Sequence, residues 1–387
     1  MRAPVFQHLK FYFSNRSSLI IGILFSFNSF AFGNWVARIA DIKSSIGLSD
    51  AALGLGLLGA PLGSILVMPF TGLIIARMGL GRALYIFSLL SLLSPLILSL
   101  VNSFAVLVIC LAYYGMTGAL MGVSLNAAAK AVEIQTDTQI MATSHGMWSF
   151  GAMIGAATGS ILVGRHVPLV IHLCAVSSVV FFPVLFNARR ISQYKEADNG
   201  QNKAFALPNF TLLVLSLAAF CIFLNEGAIA DWSAVYLREV LHSDPFLVGM
   251  AYAGYSMFMA VGRFTGDTLI PKIGKKNIVV IGGLLSAVSL SVVLILHDPI
   301  IAIIGFSFVG LGFSCVVPIL YSAAANELGY TSGSAISAVS SVSFIGFFTG
   351  PPAIGLISEY YGLSIALILV VLLSIMVSLI GTMIKFK

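Results

Sequence analysis

The chain is 387 residues long, with 59% hydrophobic residues, only 9% charged residues and a formal net charge of +6 at pH 7. Soluble proteins carry about 25% charged residues, so this composition excludes an ordinary soluble domain and indicates a polytopic membrane protein. The excess of basic residues needs no nucleic-acid partner, because Lys and Arg in short loops orient membrane chains.

Twelve apolar stretches can be marked, near 17–39, 51–76, 83–101, 104–128, 143–164, 168–187, 209–236, 246–270, 277–296, 300–324, 335–358 and 363–384. Each is long enough to cross about 30 Å of hydrocarbon as a helix. The first is too long for a signal-peptide core and lacks a clear small-residue cleavage site, so it reads as a retained span. A cytoplasmic N-terminus leaves only Arg38, Lys43, Arg165 and Arg238 outside and puts the other Lys and Arg residues, Arg263 among them, inside. That bias predicts an even number of spans with both termini cytoplasmic. Cys110, Cys174, Cys221 and Cys315 all fall within spans without paired spacing, so neither a disulfide nor a metal site is expected, and no cofactor is implied.

In chain order, span 1 carries Asn28 and Trp35 seven residues apart, close to two helical turns and so on one face. Asn28 must find polar partners in apolar surroundings. Trp35 suits either a solute-binding surface or an anchor at the outer interface. Arg38 follows, either as a clamp for an anionic solute or as half of an external gate salt bridge. Beyond span 2, Thr71-Gly72 precedes Arg77, Gly79 and Arg82. Span 4 offers Asn126 as a cavity candidate and ends near Glu133. His145 and Trp148 share a face at the start of span 5, where the histidine could relay protons, bind solute or simply pack. Gly151, Gly155 and Gly159 recur every four residues, a spacing that permits close helix approach.

The most polar stretch, 188–208, predicts a cytoplasmic linker between an N-terminal unit, 1–187, and a C-terminal unit, 209–387. Span 7 then repeats the opening pattern, with Asn225 and Trp232 lying 197 positions after Asn28 and Trp35. Where the first copy has Ser29 and Asn34, the second has Glu226 and Asp231. An ionised carboxylate within a span costs several kcal/mol unless hydrated, paired or protonated, which makes Glu226 the leading proton site. A hydrogen bond to Asn28 or pairing with Arg38 is its structural alternative. Asp231 lies five residues on, rotated by about 140°, and reads either as a cavity acid or as a bridge to Arg38 or Arg238. Thr265-Gly266 with Lys272 and Gly274 repeats the loop after span 2, and Glu327 repeats Glu133. These matched acids and bases predict inner charge pairs, Glu133 with Arg77 or Arg82 and Glu327 with Lys272 or a neighbour. Gly346 and Gly350 continue the four-residue spacing in span 11, and Pro351-Pro352 is expected to bend or unwind that helix.

Parallel repeats of this kind enclose a cavity near the membrane midplane. On these landmarks the chain resembles the major facilitator superfamily: an all-α membrane fold of twelve helices in two six-helix bundles, with spans 1, 4, 7 and 10 lining the cavity. Its loop motif is degenerate, because Ala76 stands where an acidic residue commonly precedes the basic one. The segments His145–Gly151 and Glu226–Ser233 resemble a branch of inner-membrane carriers similar to fucose permease, although Gly122 stands a turn before Asn126 where those relatives use a carboxylate. The resemblance implies a monomeric secondary transporter in the inner membrane that moves a small polar solute, sugar-like or a small organic metabolite, by proton symport through alternating access. Export of drugs or metabolites is the alternative, disfavoured because span 4 lacks the Arg, and span 5 the Pro, of antiporter relatives. A solute sensor would bind without transporting. Enzymatic motifs such as His-Glu-x-x-His, Gly-x-Ser-x-Gly and a phosphate-binding Gly-Lys-Ser/Thr are absent from the sequence, so no enzyme is expected.

Overall fold

The computed structural model describes residues 5–194, 209–328 and 332–384. Part of the linker, 195–208, lies outside the described residues, and so do Arg2, Lys195, Lys203, Lys385 and Lys387 among the charges used for orientation. The described residues are helical throughout, with no strand among them. Eleven helices are long and apolar enough to cross a membrane, and a twelfth, Leu169–Leu185, is shorter. In order they are span 1 (Arg16–Val36), span 2 (Asp50–Met78), span 3 (Leu80–Leu98), span 4 (Phe104–Thr136), span 5 (Met141–Gly164), span 6 (Leu169–Leu185), span 7 (Phe210–Val240), span 8 (Pro245–Gly266), span 9 (Lys275–Leu296), span 10 (Pro299–Ala325), span 11 (Ser334–Tyr361) and span 12 (Leu363–Met383).

Three helices outside this set were not legible in hydropathy: Val5–Ser14 ahead of span 1, Ile39–Ser45 in the loop after it, and Ala188–Ile191 after span 6. All are too short to cross a bilayer. In span 11 the helix runs through Pro351 and Pro352 without unwinding, which corrects that half of the expectation, because each proline removes only one donor from an otherwise continuous ladder.

The two halves repeat one packing plan. Span 1 lies along span 5 as span 7 lies along span 11; span 2 packs on span 4 as span 8 packs on span 10; spans 3 and 4 pair as spans 9 and 10 do. Small residues make the first of these possible. A side chain at Gly155 would overlap the Phe30 carbonyl, and one at Gly346 would meet the Phe220 carbonyl. The expected close approach at the four-residue glycine spacing is therefore present in both halves. The loop repeats also share a backbone. Gly79 and Gly274 close spans 2 and 8 at φ 81° and 89°, with their amides on the carbonyls of Ile75 and Ile270 at 2.8 and 2.9 Å. Only glycine adopts that region at little cost.

The halves meet along two symmetric seams, span 5 against span 8 and the first turns of span 2 (Asp50–Leu57) against span 11. The second seam is tight enough that a side chain at Gly54 would abut the Pro351 carbonyl 2.5 Å away.

Candidate functional site

A cavity of about 150 Å³ lies between the halves. Span 8 supplies one wall with Tyr252, Tyr255, Ser256, Met259 and Arg263, spaced three, four, seven and eleven residues from the first, which is a single helical stripe. Span 7 contributes Glu226 and Ala230, span 5 Trp148 and Ser149, and spans 1, 4 and 11 add Phe32, Tyr114 and Phe347. Phe32 is the hub of the aromatic wall. Its ring lies 6.2 Å from Tyr114, 6.0 Å from Trp148 and 5.8 Å from Tyr252, and Tyr252 stacks on Tyr255 at 5.8 Å. Such a lining offers apolar ring faces with a few converging polar atoms, the usual character of a small-molecule site.

The polar atoms are few and specific. Arg263 donates Nη1 to Ser149 Oγ at 2.8 Å and to the His145 carbonyl at 3.5 Å, across the interface between halves. Glu226 Oε1 is buried without a hydrogen-bond partner among the described residues, and so is the Tyr255 hydroxyl. Buried polar atoms are nearly always satisfied, so these two orphans leave the cavity with hydrogen-bonding capacity open to another molecule or to water.

The structure sorts the sequence candidates. Glu226 and Trp148 line the cavity, and Asp231 lies beside it, close enough to act electrostatically on Tyr114 and Tyr252. The repeated Asn–Trp pairs do not line it. Asn28 donates to Ser91 Oγ at 3.4 Å and to the Met121 sulfur at 3.1 Å, and Asn225 donates to Ser374 Oγ at 3.1 Å. Each amide therefore ties helices within its own half. Trp35 and Trp232 are fully packed in the core, which answers the interface-anchor alternative as well. Asn126 returns its amide to its own helix at the Gly122 carbonyl, 2.9 Å away. The His145 ring packs on Phe25 at 5.2 Å, just behind Ser149. Span 10 contributes no lining residue, whereas spans 5, 8 and 11 do, so the expected set of spans 1, 4, 7 and 10 is only partly what surrounds the cavity.

Arg263 is the cavity residue that charge counting obscured. Treated as a loop cation, it in fact sits within span 8; its signal was a cation inside an apolar stretch and in phase with Tyr252, Tyr255 and Met259.

At the end of the molecule carrying the loop between spans 1 and 2, a polar clasp joins the halves. Arg38 is anchored in the first half by three bonds: Nε to His172 Nδ1 at 2.7 Å, Nη2 to the Val167 carbonyl at 2.6 Å and Nη1 to Asp41 at 2.6 Å. Arginine only donates, so His172 Nδ1 accepts and Nε2–H faces Asn34 Oδ1 at 2.7 Å. Asp41 also receives Arg238 from the other half. Neither arginine reaches Asp231, which corrects that bridge; Asp41 takes both. Lys43 pairs with Asp50 at 2.6 Å and with Glu239 across the seam. The Ser358 hydroxyl donates to Asp50, and the Ala51 amide donates to Glu359 Oε2 at 3.1 Å. Span 7 ends in a widened turn over Tyr236–Val240, which presents Arg238 and Glu239 to this clasp.

The expected pairs at the opposite end take other partners. Glu133 Oε1 caps the start of span 5, accepting the amides of Ile140 and Met141 at 2.8 and 3.0 Å, while Oε2 meets Lys130 at 3.3 Å. Glu327 accepts from Asn209, at 2.8 Å, at the start of span 7. Arg77, Arg82 and Lys272 are exposed, and no ion pair among the described residues joins them to either acid. Helix-end amides are orphan donors that attract a nearby carboxylate, which explains why Glu133 turns to span 5.

Comparison with known proteins agrees with this architecture. The family model of the Major Facilitator Superfamily matches residues 18–340 and 215–386. An uncharacterized MFS-type transporter of Yersinia pestis is 32% identical over 345 residues, covering 89% of each chain. The membrane protein MosC of Rhizobium meliloti is 29% identical over 364 residues, covering 92% of this chain and 88% of its own. The crystal structure of a bacterial homolog to the human lysosomal transporter Spinster, inward-facing and occupied, superposes with a TM-score of 0.72 at 13% identity, covering 96% of this chain and 97% of that one. Matched by the family model over most of its length and built, among the described residues, from eleven membrane-length helices and a shorter twelfth around a cavity, the chain belongs to the Major Facilitator Superfamily of membrane transporters.

Proposed function

We propose that this transporter is a proton-coupled symporter of a small polar solute, working by alternating access in the inner membrane with both termini cytoplasmic. In this reading the unit boundaries fall at 187 and 209, the chain acts as a monomer, and the clasp of Asp41, Lys43 and Asp50 closes the periplasmic side. The observation that carries the proposal is Glu226, a carboxylate in the cavity between the halves whose Oε1 has no partner among the described residues. An ionised carboxylate there needs a proton, a cation or solute to offset its desolvation. A group of this kind can hold a proton while the cavity is dry and lose it when the cavity opens to the other face. The aromatic wall and the Tyr255 hydroxyl supply the solute contacts.

Glu226→Gln mimics the protonated acid. In proteoliposomes it is expected to retain counterflow exchange of the solute while losing accumulation driven by a pH gradient. Accumulation at the wild-type rate in Glu226→Gln vesicles would remove Glu226 as the coupling site. Binding without any counterflow in the wild type would make the protein a sensor rather than a carrier.

A further inference from the structure

The cavity contains an acid and a base that do not touch. Arg263 lies close enough for its charge to act on Glu226, yet the two form no ion pair within 4.0 Å, and Glu226 Oε1 stays unpartnered. The guanidinium is held toward the opposite half by Ser149 Oγ and the His145 carbonyl, so it is positioned independently of the carboxylate. Tyr255, only 4% exposed, adds a hydroxyl with no partner. A molecule that spans this arrangement must present an anionic group to Arg263 and hydrogen-bonding groups to Glu226 and Tyr255.

We propose that the solute is a small organic monoanion whose carboxylate is bound by Arg263, and that Glu226 takes up one proton as the anion enters. The inference rests on Glu226 being the proton site. Its logic is charge balance: in the empty cavity Arg263 and Glu226 offset each other, and an unbalanced charge inside the bilayer costs several kcal/mol. When the anion occupies Arg263, the Glu226 carboxylate loses its counter-charge, and protonation to the neutral acid restores the balance. One anion and one proton then cross together, without net charge. The other groups facing Glu226 do not upset this count. Tyr252 and Tyr255 on span 8 and Tyr321 on span 10 are close enough to interact with it, and phenols are neutral at neutral pH. His145 on span 5 gives Arg263 its carbonyl, and its ring is also close enough for the charge of Arg263 to act on it; a neighbouring cation disfavours a second positive charge there. Asp231, on the same helix as Glu226, is close enough to interact with Tyr114 and Tyr252 and forms no ion pair with Arg263 among the described residues, so the anion and Arg263 are balanced without it. The guanidinium's planar fork matches a carboxylate, and about 150 Å³ limits the solute to metabolite size.

The test is a thermal-shift panel on the purified full chain. It uses monocarboxylates of three to seven carbons, plain and hydroxylated, each beside its neutral alcohol or amide counterpart. At least one carboxylate should raise the melting temperature while its neutral counterpart does not. A weakly buffered mixture with a pH dye should then show about one proton taken up per bound anion. Arg263→Gln is expected to lose the carboxylate response, and Glu226→Gln to bind the anion without proton uptake. If Arg263→Gln fails to fold, Arg263→Lys should bind at least tenfold more weakly, having lost the fork. The inference is overturned if no carboxylate stabilises the protein, if neutral counterparts stabilise it equally, or if a folded Arg263 variant binds as the wild type does. A neutral solute showing counterflow and Glu226-dependent accumulation would remove the anion while leaving the proton-coupled carrier intact.

Discussion

Lys43 holds the clasp from both sides, bonded to Asp50 in its own half and to Glu239 in the other. It sits in the short loop helix Ile39–Ser45, outside the spans. Burial alone would lower its affinity for a proton, but the hydrogen bonds and charges of Asp50 and Glu239 more than offset that, so its pKa is raised. A raised lysine stabilises through its charged form, fully present at neutral pH and lost only as pH climbs through the raised value. Lys43 therefore keeps its charge, and its share of the clasp, throughout the neutral range. Lys43→Gln leaves two carboxylates without their cation and should cost about 2 kcal/mol, between the values for exposed and buried pairs. A fall in melting temperature at pH 7 that disappears at strongly alkaline pH is the expected signature; an unchanged melting temperature would show that Lys43 does not bear on the closed state. The sequence placed Lys43 outside but gave no partner, because Glu239 lies 196 residues away. Glu226 was legible for the opposite reason: a carboxylate where the first repeat has serine is visible without any contact. Asn28 and Asn225 were legible as buried amides needing partners, but not the direction in which they turn, which depends on Ser91 and Ser374 in other helices.

Whole helices were easier to read than single side chains. Hydropathy placed nearly all the spans within a few residues, since a bilayer demands continuous apolar helices. It fell short where structure depends on neighbours, as in span 4, whose helix continues to Thr136, and span 11, which stays helical through its prolines. The glycine spacing of span 5 translates directly into contact with span 1. Gly155→Leu forces a side chain into the Phe30 backbone and should destabilise the fold by about 1–3 kcal/mol or more. Gly118→Ala, on span 4 where a Cβ meets nothing within 4 Å, should leave stability unchanged or slightly improved, as helix propensity favours alanine. Equal melting temperatures for Gly155→Leu and the wild type would contradict the close approach of spans 1 and 5. The stripe from Tyr252 to Arg263 was present in the sequence, but hydropathy averages over the helix and does not show which face it presents.

At the scale of the molecule, two halves of one plan meet over a cavity that combines an unpaired acid with a base, and ion pairs close one end. The repeat made the architecture legible, because identical spacing in both halves implies identical packing. The clasp was not legible: Asp41 and Arg238 lie at the repeat offset of 197, but equivalence in a repeat does not by itself bring two side chains into contact. The central claim is that solute and proton move together through Glu226. The most direct measurement loads proteoliposomes with a pH-sensitive dye and adds, outside, the solute that stabilises the purified protein. Wild-type vesicles should acidify inside in proportion to solute uptake, and Glu226→Gln vesicles should exchange solute with no acidification. Solute uptake by the wild type without proton entry, or equal acidification with Glu226→Gln, would contradict the account.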